Sequence, residues 1–175
     1  MNKIKGLYIA RDFITEEEHN KVVKFIYEQD NWKFGDWEQK VMEYKCRDDG
    51  VPIGLQRVVM EMGKYDKVIE NPNHVTLDEC TPGQGIEPRG GEDVCILTLG
   101  SEYVINFVCE EKEKEEHLRL VVPRRSLLTI AEDAANKWSH VVSRCVKEEK
   151  PDNLGTLIRG TFICVTFKRS CHTLC

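Results

Sequence analysis

From residue 41 onward the apolar residues of this chain fall into a succession of short segments, most alternating with polar neighbours at a period of two. The pattern predicts strands over Val41–Cys46, Leu55–Met62, His74–Cys80, Val94–Leu99, Glu102–Cys109, His117–Val122, Ser126–Ala131, Lys137–Ser143 and Thr161–Lys168. Turn chemistry separates them at Asp48-Asp49-Gly50, Asn71-Pro72-Asn73, Pro82-Gly83-Gln84-Gly85 and Pro151-Asp152-Asn153. So many short strands imply a double sheet or barrel, because a lone strand leaves its edges unpaired. One helix precedes them. Thr15-Glu16-Glu17-Glu18 is a capping box, its carboxylates lie where the helix dipole favours them, and Val22, Val23, Phe25 and Ile26 supply an apolar stripe. A helix over 16–29 is expected, closed by Asn31-Trp32. The fold class is therefore mainly β, with one or two N-terminal helices.

At 175 residues the chain fits one domain, and burial of roughly 70% of the unfolded surface lets it fold without disulfide or metal. Apolar residues make up 41% and charged residues 31%, a globular balance. The net charge of −5 lacks the bulk basic signature of a nucleic-acid binder, although a local patch is compatible with it. The run Glu110–Glu116 reads as a solvated hairpin tip. No apolar run is long enough for a bilayer, and the N-terminus lacks the apolar region of a signal peptide. The cysteines at 46, 80, 95, 109, 145, 164, 171 and 175 lie mostly singly in apolar segments. They suggest reduced thiols in an intracellular, reducing compartment, cytoplasm or nucleus first, with an organelle still open.

Several segments, in order, resemble one family. Gly6-Leu7-Tyr8-Ile9, Asp12–Glu18 and Trp32 are similar to the first strand and helix of AlkB proteins. Pro82-Gly83-Gln84-Gly85-Ile86-Glu87-Pro88 resembles the approach to that family's first metal ligand, and Leu97–Glu102 with Asn106-Phe107 the strand pair that follows. Pro123–Leu128, Trp138-Ser139-His140 and Arg159-Gly160 with Thr166-Phe167 complete the likeness. It spans nearly the whole chain and is closest to the AlkB homologue eight branch, which hydroxylates modified wobble uridines in tRNA. What it implies is a double-stranded β-helix (jelly-roll) that binds Fe(II) and 2-oxoglutarate.

Such enzymes hold iron on two histidines and a carboxylate, leaving positions open for 2-oxoglutarate and oxygen. By resemblance the His-x-Asp pair falls on Arg89 and Gly91, and only the second histidine persists, as His140. An arginine keeps its proton in a protein, so it cannot ligate a metal and repels a divalent cation. The two arginines that fork the carboxylates of 2-oxoglutarate fall on Phe162 and Lys168. The family's Asn-x-Tyr pair falls on Asp78 and Cys80, and an aspartate there repels a dicarboxylate.

Two readings of the remaining ligand types stand open. Glu87, Glu92, Asp93, His74 and Asp78 supply donors for a divergent metal site with His140. Alternatively the acids face solvent and His140 is a hydrogen-bonded relic inside the barrel. Cys171-His172-Thr173-Leu174-Cys175 offers soft ligands for zinc, with only Cys175 at a position the resemblance matches. Trp37, Tyr44 and Arg57, with Arg47, Lys64 and Tyr65, are candidates to stack bases and meet phosphates; Trp37 and Tyr44 equally suit packing on the barrel.

One domain is thus expected: 1–33 as strand and helix, 34–73 as a reduced substrate lid, 74–170 as the jelly-roll core and 171–175 as a tail. The leading expectation is a catalytically silent module without cofactor that binds or scaffolds a protein complex or RNA, linked to tRNA or ribonucleoprotein. The alternative is an active Fe(II)/2-oxoglutarate dioxygenase, hydroxylating or demethylating tRNA or another nucleic acid.

Overall fold

The computed structural model describes residues 4–45, 51–65, 69–111, 113 and 115–170. Strand β1 (Leu7–Ala10) leads into helix α1 (Glu16–Tyr27), which starts on the expected cap. The Glu18 N–H donates to Thr15 Oγ1 at 3.1 Å. Strands β2 (Lys33–Phe34) and β3 (Lys40–Lys45) follow.

The next element corrects an expectation: residues 55–62, read as a strand, lie within helix α2 (Ile53–Tyr65). Leu55, Val58 and Met62 are its buried residues, at the helical spacing i, i+3, i+7. The adjacent β-branched pair Val58-Val59 imitates strand composition, but the positions that need burial recur with the helix period. Gly54 brings α2 close to α1, since a Cβ there would stand 2.1 Å from Phe25 Cγ.

The remaining strands are β4 (His74–Cys80), β5 (Ile86–Arg89), β6 (Val94–Gly100), β7 (Tyr103–Cys109), β8 (Glu116–Val122) and β9 (Leu127–Ile130). Helix α3 (Glu132–Asn136) then precedes β10 (Ser139–Val142), β11 (Lys147–Glu149), β12 (Thr156–Ile158) and β13 (Phe162–Lys168). Several of these differ from expectation, α3, β11 and β12 being elements that the sequence pattern does not predict. β5 forms where a loop was read, and β10 begins at Ser139 because Lys137 closes α3 as its C-cap. The turn at 48–50, Cys46, Arg47 and the zinc candidates at 171–175 lie outside the described residues.

Seven strands form a large antiparallel sheet in the order β1-β9-β6-β13-β4-β3-β2, facing a four-stranded sheet ordered β5-β10-β7-β8. The large sheet thus takes in β1, β2 and β3 alongside strands of 74–170. Strand alternation sorts the core into two layers. Val75, Leu77, Leu97, Ile163, Val165 and Phe167 join Ile26, Leu55 and Met62 on the helix side of the large sheet. Cys80, Ile96, Phe162 and Cys164 join Tyr103, Ile105, Phe107 and Val142 between the two sheets. The mainly-β jelly roll is as expected, and the inner layer encloses the candidate site.

Candidate functional site

Between the sheets lies a cavity of about 130 Å³, whose wall includes Thr76, Arg89, Tyr103, His140, Thr166 and Lys168. His140 is placed by β10, which runs between β5 and β7; it stands in register with Arg89 on one side and Phe107 on the other. The residue is 8% exposed, and its Nδ1 has no hydrogen-bond partner among the described residues. The expected hydrogen-bonded relic is therefore corrected: this nitrogen is an orphan. Burial, and then the charge of Arg89, depress the imidazole pKa to about 4, so the ring is neutral near pH 7.

Arg89 grips Asp78 with both terminal nitrogens, Nη1 donating to Oδ2 and Nη2 to Oδ1, each at 2.8 Å. Nη2 also donates to Glu87 Oε1 at 2.7 Å. Gln39, fully buried, donates from Nε2 to Glu87 Oε2 at 2.7 Å and to Asp78 Oδ1 at 3.3 Å. Asp78 has no solvent exposure, so its carboxylate relies on these donors in place of water. Burial works to raise the Glu87 pKa, but hydrogen bonds and the charge of Arg89 outweigh it and hold the group below the usual carboxylate range. The Asp78 and Arg89 departures thus complement one another: each supplies the counter-ion the other needs.

The other site candidates are engaged elsewhere. Phe162 is buried and stacks on Tyr103 with ring centroids 4.4 Å apart, offering no donor to a carboxylate. Lys168 Nζ donates to Glu92 Oε2 at 3.0 Å, and His74 bonds Glu43. Gly91 has φ +84° and nothing within 4 Å of a built Cβ. Asp93 is exposed, but Glu87 is not the solvent-facing acid expected, since it is tied to Arg89 and Gln39. Among the described residues no three His, Cys, Asp or Glu side chains gather as a metal-binding group. The residues at the site therefore do not fit a two-histidine, one-carboxylate iron centre, and a guanidinium stands beside His140.

Trp37, Tyr44 and Arg57 are not brought together. Trp37 lies near the Asp78 end, with its N–H bonded to Gln39 Oε1 at 3.1 Å and the Arg144 guanidinium 4.6 Å from its ring centroid. Tyr44 packs on the helix side of the large sheet, its hydroxyl 3.4 Å from Gln29 Oε1. Arg57 is exposed on α2. Gln39 and Arg144 were missed; nothing local marks Gln39, a lone amide in a polar stretch. The Asp78–Arg89 pair did leave a signal, since two departures of opposite charge fell at one expected site.

This double-sheet fold is similar to that of AlkB-like 2-oxoglutarate oxygenases. The structure of OsALKBH1 matches 97% of this chain and 100% of its own, with a TM-score of 0.61 at 12% identity. A prolyl-4-hydroxylase from Pseudomonas putida matches 94% of this chain and 93% of its own, with a TM-score of 0.59 at 10% identity. In sequence the chain is 27% identical over 183 residues to Uncharacterized protein L905 of Acanthamoeba polyphaga mimivirus, spanning 94% of this chain and 85% of that protein. It is 23% identical over 212 residues to Alpha-ketoglutarate-dependent dioxygenase alkB homolog 4 of Mus musculus, spanning 93% of this chain and 67% of the mouse protein. No family model matches the chain.

Proposed function

We propose that this chain is a catalytically silent AlkB-type barrel that serves as a binding or scaffolding module. Its proposed partner is a protein complex or RNA in a tRNA-linked or ribonucleoprotein setting, a setting suggested by the chain's resemblance to the AlkB homologue eight branch. One observation carries the silent reading: the Arg89 guanidinium, locked on Asp78 and Glu87, stands in register with His140. A fixed positive charge there opposes a divalent cation, and its partners Asp78 and Glu87 are already spent. Phe162 and the Glu92-bound Lys168 add to this by leaving 2-oxoglutarate without a guanidinium fork. A fold persists after its site is lost because packing, not chemistry, sustains it.

The proposed setting is a reducing intracellular compartment, which suits the free thiols Cys80, Cys109, Cys145 and Cys164. No helix among the described residues is long and apolar enough to cross a membrane.

Anaerobic titration with Fe(II) and 2-oxoglutarate, followed by oxygen, tests the silent reading. The expected result is no saturable binding in the micromolar range and no succinate. Micromolar binding of both with succinate released would return the chain to the dioxygenases. A parallel titration of tRNA against salt separates the partner classes, since phosphate contacts give a negative slope of log affinity on log salt and a purely protein partner gives none.

A further inference from the structure

We infer that the Arg89 guanidinium is a tethered cation that holds the electrostatic post a bound ion would occupy, clamping the two sheets together at the cavity. The inference rests on the silent reading above and says what replaced the ion. Its geometry is particular. Asp78 belongs to β4 of the large sheet, whereas Glu87 and Arg89 belong to β5 of the small one. The bidentate pair therefore spans the two sheets, and two parallel N–H···O bonds fix both distance and orientation.

The charge balance supports the same role. Two carboxylates, Asp78 and Glu87, share one guanidinium, and Gln39 adds a neutral donor to both. The nearby cavity-lining cation, Lys168, is bonded to Glu92. Without Arg89, a fully buried carboxylate and a half-buried one would face a gap with one amide between them. Such a gap is strongly unfavourable empty and attractive to any cation that fits. A side chain on β5 has the advantage that it is never lost to chelation or dilution.

Thermal melts of the full chain test this, with and without millimolar Co(II) as a probe cation. R89A is expected to melt about 10 °C below the parent, because it strands the buried Asp78 carboxylate. Removing that charge as well, in D78N/R89A, should recover a large part of the loss. Co(II) should raise the midpoint of R89A by several degrees and leave both the parent and D78N/R89A unmoved. The inference fails if R89A melts with the parent, if D78N/R89A is no more stable than R89A, or if Co(II) leaves R89A unchanged. Should R89A not fold, R89K decides: charge kept without the fork predicts a folded chain that Co(II) does not stabilise, and stabilisation by Co(II) overturns the role. These melts can fail with no succinate ever formed, and succinate can form while the melts behave as expected, so the two readings fall separately.

Discussion

A neutral imidazole buried beside a guanidinium responds to acid in a defined direction. The His140 pKa is depressed from 6.5 to about 4 by burial and then by Arg89. As pH falls, the unfolded chain therefore takes up this proton first, and stability declines from near the unfolded pKa until the folded value is reached. Below about pH 4 the loss is complete, and a displacement of this size corresponds to roughly 3 kcal/mol. Many carboxylates titrate in the same range, so the test is a comparison. In urea unfolding at pH 7 and pH 4, the parent is expected to lose about 2–3 kcal/mol more than H140Q. Equal losses would mean that His140 is not held neutral by the fold. The sequence contained half of this. His140 and Arg89 were both visible as positions of interest, but their register on neighbouring strands, and the missing partner at Nδ1, exist only after β5 pairs with β10.

At the scale of elements, what could be read was what is decided locally. Helix α1 declares itself through its cap and stripe, and the Thr15 Oγ1 bond to the Glu18 N–H satisfies a donor that the helix leaves free. T15A should therefore lower stability by about 1 kcal/mol in urea unfolding, with T15S close to the parent. A T15A chain as stable as the parent would show that tertiary packing alone sets this helix start. β6 and β13 were legible for a related reason: each alternates between two buried layers, so apart from Lys168 at the end of β13 its length is apolar or small. Helix α2 was not, because its buried residues, Leu55, Val58 and Met62, sit amid β-branched neighbours that mimic a strand. β5 was hidden by Glu87, Pro88 and Arg89, whose polarity serves the Asp78 cluster and not a pleated apolar face. Where side chains answer to a distant charge, local propensity has little to say.

For the molecule as a whole, β13 decides how the layers come apart. It lies between β6 and β4 in the large sheet. Its Ile163, Val165 and Phe167 belong to the helix-side core, while Phe162 and Cys164 belong to the core between the sheets. Neither core can be dissolved without removing the strand that supplies the other, which predicts one cooperative transition. The tryptophans offer a reporter for each layer, since Trp32 packs on the helix side and Trp138 against the inner core. W37F/W138F leaves Trp32 as the sole indole and W32F/W37F leaves Trp138. With urea midpoints normalised to each variant's own far-UV dichroism, fluorescence and dichroism should coincide in both. If Trp32 reported unfolding ahead of Trp138, the helix layer would be a separate unit, and β13 would not couple the helices to the cavity that Arg89 lines.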